Sequence, residues 1–244
     1  MAKLKATFKV KARILKRAVK IGSLVALSLL SFSTLAGKVY DSLPAQINPN
    51  DTFVFYSHGF IVEGDNPRPV DTRNGWGLYD FPAVKQALAD DSYHLVAHHR
   101  PKNTDPFEYA QFLNEQVRRL IAAGVKAQNI ALVGFSRGAF ITGLTSDKLS
   151  EHAIDTVILA GCGRLISRKH TDLKVYGDVL SVYEDTDQAN TCKKLKDKST
   201  NIDSFTEIEI NTGLSHGAFY RPIPEWVKPV KEWLTKTRFK VSNS

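Results

Sequence analysis

The stretch Ile130-Ala131-Leu132-Val133-Gly134-Phe135-Ser136-Arg137-Gly138 decides how this chain folds. From Ile130 to Phe135 it is continuously apolar, the pattern of a strand buried on both faces. From Arg137 to about Leu149 the pattern becomes helical. Ser136 alone joins the two, so the turn must be very sharp and the residues flanking the serine must be small. Gly134 and Gly138 meet that need. Ser136 is then held out at the tip of a strand, beside the unpaired N–H groups and the positive dipole end of the following helix.

Working outward, short apolar runs alternate with amphipathic ones. Strands are expected at Thr52–Tyr56, Tyr93–Ala97, Ile154–Ala160, Val179–Tyr183 and Phe205–Ile210, which with the central one makes six. Helices are expected at Asp80–Ala89, at Pro106–Ala123 closed by Gly124, and at Pro224–Thr235. Residues 37–50 read as a polar lead-in, and 63–77, with Gly64, Pro67, Pro69, Gly75 and Gly77, as a long loop. Such alternation predicts an α/β domain over residues 38–244, with a mostly parallel sheet of about six to eight strands and helices on both faces. Functional groups gather at the carboxyl ends of the strands in such a sheet.

The chain has 244 residues and a formal charge of +8, which invites a nucleic-acid reading. Eight of the 33 Lys and Arg, and no acid, lie in residues 1–36; the remaining 25 balance the 25 Asp and Glu. The rest of the chain thus has no charge-based case for binding nucleic acid. A basic stretch to Lys20 followed by an apolar run from Ile21 to Ala36 is the order of a secretory signal, with small residues Thr34 and Ala36 placed for a cut before Gly37. The run is short for a membrane span and the basic region long for a signal, so a retained N-terminal anchor is the alternative. A basic membrane-binding segment is a third reading and concerns residues 1–36 alone. In the first two cases the main domain is expected beyond a membrane, periplasmic or secreted. Cys162 and Cys192 suit an oxidising compartment, and one disulfide between them is expected.

Three further segments carry chemistry: Ser57-His58-Gly59-Phe60 after the first strand, the acids Glu184, Asp185 and Asp187 after the strand Val179–Tyr183, and Ser215-His216-Gly217 near the C-terminus. With the Gly-Phe-Ser-Arg-Gly turn, they make the chain resemble the α/β-hydrolase family over roughly residues 50–240. The order serine, acid, histidine is that family's order. The resemblance implies Ser136 as nucleophile and His216 as the base that takes its proton. It also implies a carboxylate that orients the imidazole. The family often has an Asp three residues after a Gly ending this strand. Glu184 stands where the Gly would be and Asp187 where the Asp would be. Asp187 is therefore favoured, with Asp185 and Glu184 as alternatives. An oxyanion would need two N–H donors, expected from the backbone of Arg137 and of Phe60, with Ile61 as the substitute. His58 reads as a structural loop residue.

Other readings are narrower. Arg100, Arg137 and Arg164 follow strands, and Arg68 and Arg73 lie on the nearby loop. Arg100 and Arg164 in particular are candidates for holding a carboxylate or phosphate of the substrate. His94, His98 and His99 tempt a metal reading, but spacing and the lack of a completing acid or Cys argue against it. No metal or cofactor is expected. No insertion is long enough for a large lid, so the pocket should be open and edged by residues 61–79. The sequence thus predicts an exported serine hydrolase acting on a small-molecule ester or related acyl bond through an acyl-enzyme. The rival is a catalytically silent protein of the same fold that binds a ligand or partner at the cell envelope.

Overall fold

In the computed structural model, residues 38–239 are described, with the helical backbone alone for 237–239. The segment read as a signal or anchor, residues 1–36, lies outside them. Among the described residues no helix is long and apolar enough to cross a membrane. In chain order the elements are β1 (Val39–Tyr40), β2 (Phe53–Ser57), β3 (Val70–Asp71), β4 (Gly77–Leu78), α1 (Phe81–Leu88), β5 (His94–Val96) and α2 (Pro106–Ala122). There follow β6 (Ile130–Phe135), α3 (Arg137–Lys148), β7 (Asp155–Leu159), β8 (Gly177–Glu184), α4 (Lys193–Lys198), β9 (Ile202–Ile210) and α5 (Pro224–Phe239).

Seven strands form one parallel sheet in the order β1-β5-β2-β6-β7-β8-β9. The sixfold expectation missed β1, a two-residue edge strand inside the polar lead-in, too short to show an apolar pattern. The loop 63–77 also holds structure: β3 and β4 pair as a small antiparallel ladder. The helix α4, Lys-rich and with Leu195 as its buried residue, had no apolar stripe to announce it.

The sheet is covered on both faces. On one, Val54, Tyr56, Leu95 and Val133 meet Phe81 and Leu88 of α1 and Trp226, Val230 and Leu234 of α5. On the other, Phe53, Phe55, Ile130 and Leu132 meet Leu113, Val117 and Leu120 of α2 and Ile141 of α3. Successive residues of β2 thus serve opposite faces, as the two-residue period of a strand requires. The helices α1 and α2 start where the sequence supplies a capping aspartate, Asp80 and Asp105. Asp105 accepts hydrogen bonds from the N–H groups of Phe107 and Glu108, with Pro106 at the first helical position.

The chain leaves β2 for β5 on one side and then returns to β6 on the other. The loops after β2 and β6 therefore diverge, and a crevice opens between them. Ser57 pairs in register with Gly134, which sets the turn at His58–Phe60 beside the turn at Ser136.

Candidate active site

The turn between β6 and α3 is as tight as the sequence requires. A Cβ on Gly134 would lie 2.3 Å from the carbonyl oxygen of Gly138, and one on Gly138 only 1.9 Å from that of Ser57. No side chain fits either position. Ser136 itself sits at φ 56° and ψ −116°, a conformation that L-residues rarely adopt. Its N–H donates to Leu159 O at 3.0 Å, so β7 holds the strained residue in place. Its side chain lines the crevice at the head of the sheet, and so does His216.

His216 arrives on a short 3₁₀ helix, Ser215–Tyr220, after β9. Its ring packs between Trp76 and Phe135, with centroids 4.9 and 4.8 Å away. Nδ1 lies 2.6 Å from Oδ2 of Asp187. The other Asp187 oxygen accepts from the N–H of Ala189 at 3.0 Å. Both oxygens of this buried carboxylate are thus occupied.

The two alternative acids sit elsewhere. Asp185 is exposed and accepts a hydrogen bond from Asn211. Glu184 is fully buried at the end of β8, where it joins two loops. Oε2 accepts from the N–H and hydroxyl of Thr186, at 2.9 and 2.6 Å. Oε1 accepts from the N–H and hydroxyl of Thr212, both at 3.1 Å. Burial alone would raise this carboxyl, but the hydrogen bonds from Thr186 and Thr212 outweigh it and hold its pKa at about 2. Glu184 thus ties the loop of Asp187 to the loop of His216.

No protein-family model matches the chain, and neither does any curated protein. Solved structures do resemble it. Est1E from Butyrivibrio proteoclasticus, solved with ferulic acid bound, is 14% identical, with 83% of this chain and 94% of that one covered at a TM-score of 0.53. An esterase/lipase from an uncultured bacterium is 12% identical, with 78% of each chain covered and a TM-score of 0.53. An arylesterase is 10% identical, with 80% and 78% covered and a TM-score of 0.52. The chain has an α/β-hydrolase fold.

Ser136 lies in the turn after the central strand; Arg137, the next residue, begins α3, Phe60 begins the short helical turn after β2, and both line the crevice with Ser136. Each is the first helical residue of its segment, where a backbone N–H has no partner within the helix. Ile61, the substitute donor, is the second residue of its turn. The loop bearing Phe60 is built rigidly. Tyr79 Oη accepts from the N–H of Gly59 at 3.1 Å. His58 is fully buried, with Nδ1 2.8 Å from Gly59 O and Nε2 accepting from the N–H of Arg100 at 2.9 Å. Burial, then the nearby Arg100 charge, push its pKa well below the ordinary value, so the ring is neutral and both nitrogens are engaged.

Arg100 is the clearest correction. It was expected at the pocket, but it is fully buried beneath the His58–Glu63 loop. Its guanidinium donates to His58 O and approaches Glu63 Oε1 at 3.4 Å. Its position after a strand end is right, yet the segment folds inward and spends the charge on structure. Arg68 pairs with Asp80 instead of facing the crevice. Arg137 is partly committed: Nη2 donates to Thr104 O at 2.6 Å, and Nε lies 3.2 Å from Glu63 Oε1. Arg73 lines the part of the crevice near β3, and Arg164 the part near β7.

The three tempting histidines go separate ways. His94 meets Asp51 at 3.0 Å, His98 meets Tyr109 Oη at 3.1 Å, and His99 meets Val62 O at 2.6 Å. The expected disulfide is present: Cys162 bonds Cys192, joining the loop after β7 to the start of α4. Sequence reading missed Trp76, which forms a wall beside His216, and Arg168, which stands near Arg164 in the cleft. Trp76, between Gly75 and Gly77, was a signal that an apolar residue in a turn had a site to cover.

Proposed function

We propose that this protein is an exported serine hydrolase that cleaves an ester or related acyl bond through an acyl-enzyme. The observation that carries the reading is the 2.6 Å pairing of His216 with buried Asp187 in the crevice that Ser136 also lines. A histidine so oriented takes the serine proton as Oγ attacks the substrate carbonyl. Asp187 stabilises the imidazolium that forms. The N–H groups of Phe60 and Arg137 receive the oxyanion of the tetrahedral intermediate. That intermediate collapses, and His216 hands its proton to the departing alcohol. Water, deprotonated by the same histidine, then releases the acid and restores Ser136.

The named activities of the fold neighbours, esterase and arylesterase, favour a carboxylic ester over an amide. The basic-then-apolar order of residues 1–36 and the Cys162–Cys192 disulfide favour export.

A fluorophosphonate probe tests the reaction. The protein is expected to become labelled and to hydrolyse p-nitrophenyl esters. Ser136→Ala should abolish the labelling and lower kcat by roughly 10⁴-fold or more. A folded wild-type protein that neither labels nor turns over any ester would instead be the silent binding protein.

A further inference from the structure

We propose that the substrate carries an anionic group, a carboxylate or phosphate, which Arg164 and Arg168 bind in the cleft beside Ser136. This rests on the hydrolytic reading above and names the class of substrate it acts on.

The cleft holding Ser136 and His216 has a volume of about 710 Å³. Three arginines line it, Arg137, Arg164 and Arg168, together with the polar side chains of Asn74 and Gln188. Asp187 is the one carboxylate among the lining residues, and both its oxygens are spent on His216 and Ala189. Arg137 is already paired with Glu63, so the charge left without a nearby counterpart in the wall is that of Arg164 and Arg168. Arg164 and Arg168 are exposed, and among the described residues neither side chain has a hydrogen-bond or ion-pair partner. Other arginines differ: Arg68, Arg100 and Arg118 are paired with Asp80, Glu63 and Glu151. The imbalance is local, because the chain after residue 36 carries equal numbers of basic and acidic residues.

The platform under the two arginines is rigid. Both belong to the helical turn around Leu165–Lys169, where Ile166 is fully buried. Ser167 Oγ donates to Cys162 O at 2.5 Å, and Cys162 is bonded to Cys192. The backbone that carries them is thus anchored, and guanidinium groups bind planar or tetrahedral oxyanions through paired N–H donors. Arg168 also lines a neighbouring cleft of about 600 Å³ with Lys193 and Lys194, against the single acid Asp197. This extends the positive surface outward from the serine and favours the approach of an anion.

Two pairs of esters of similar size, with one member of each pair charged, provide the test. p-Nitrophenyl hydrogen adipate and p-nitrophenyl hexanoate vary the acyl side. 4-Acetoxybenzoate and its methyl ester vary the alcohol side. At low salt one charged probe is expected to exceed its neutral twin in kcat/KM by about tenfold, mainly through KM. The preference should shrink as NaCl is raised. In the Arg164→Ala/Arg168→Ala double variant the ratio should fall to near one, and in Arg168→Glu below one. Both side chains are exposed, and circular dichroism checks that each variant is folded. Equal turnover of charged and neutral twins by the wild type overturns the proposal while leaving the hydrolase reading intact. So does a preference that survives in the double variant. Loss of all four activities together with absent fluorophosphonate labelling overturns both.

Discussion

At the scale of the residue, Glu184 shows how much a buried carboxylate can do without touching the reaction. Four hydrogen bonds from Thr186 and Thr212 converge on it, and the two loops it joins carry Asp187 and His216. Replacing one oxygen by an amide leaves a donor facing donors, which costs about 2 kcal/mol of stability. On the proposed mechanism, Glu184→Gln is also expected to lower kcat roughly tenfold to hundredfold with little change in KM, because His216 shifts relative to Ser136. Steady-state kinetics with a p-nitrophenyl ester check this; an unchanged kcat would leave Glu184 a purely structural residue. The pH dependence has a definite sign. The carboxyl ionises at about 2 in the fold against an ordinary value of 4.5. A depressed folded pKa stabilises above the unfolded value, and that contribution is lost as pH falls toward the folded one. The difference in urea midpoint between wild type and Glu184→Gln should therefore be full above pH 4.5 and shrink toward pH 2. A difference independent of pH would assign the effect to packing instead.

At the scale of the element, the turn from β6 into α3 concentrates strain that neighbours hold in place. Gly138 lets α3 approach the end of β2 more closely than any side chain permits. Gly138→Ala must push the Ser57 carbonyl aside. It is expected to lose roughly 3 kcal/mol, near the upper end of overpacking costs. It should also disturb the adjoining turn at His58–Phe60. Urea denaturation measures the first effect and the rate of fluorophosphonate labelling the second. A variant equal to wild type in both would mean that the elbow tolerates more freedom than its packing implies. The loop after β7 is held differently, by a covalent bond to the start of α4. The bridged residues are 30 apart in sequence, so in the chain-entropy picture the bond stabilises by roughly 3–4 kcal/mol. Cys162→Ser/Cys192→Ser should lose a stability of that order. Among the esters it should affect a charged one most, since Arg164 and Arg168 stand on the loop it releases. Thermal unfolding and the charged-to-neutral kcat/KM ratio check the two parts.

At the scale of the whole molecule, the parallel sheet brings together groups that lie far apart in the chain. Ser136, Asp187 and His216 come from the ends of three strands, and the return from β5 to β6 opens the crevice in which they meet. The sheet itself was legible because five of its strands are apolar runs bounded by turn residues or helices, and β9 an alternating one. The strand β1 was not, because two residues at an edge show no period. The elbow was legible because sterics allow so few sequences there. His216 was readable as a companion of that elbow, and Asp187 by its distance from a strand end.

Local sequence determined the strand-helix alternation, the sharp turn at Ser136 and the concentration of positive charge in the first 36 residues, since each depends on neighbours along the chain. Tertiary structure alone decided how the acids and arginines divide their work. Glu184, Asp185 and Asp187 are three carboxylates within four positions, and one is a staple, one a surface group and one the partner of His216. Arg100 and Arg164 both follow strand ends, yet one is sealed under a loop and the other faces the cleft. The physical reason is that the role of a charge depends on its burial and on which partners surround it, and those come from segments dozens of residues away.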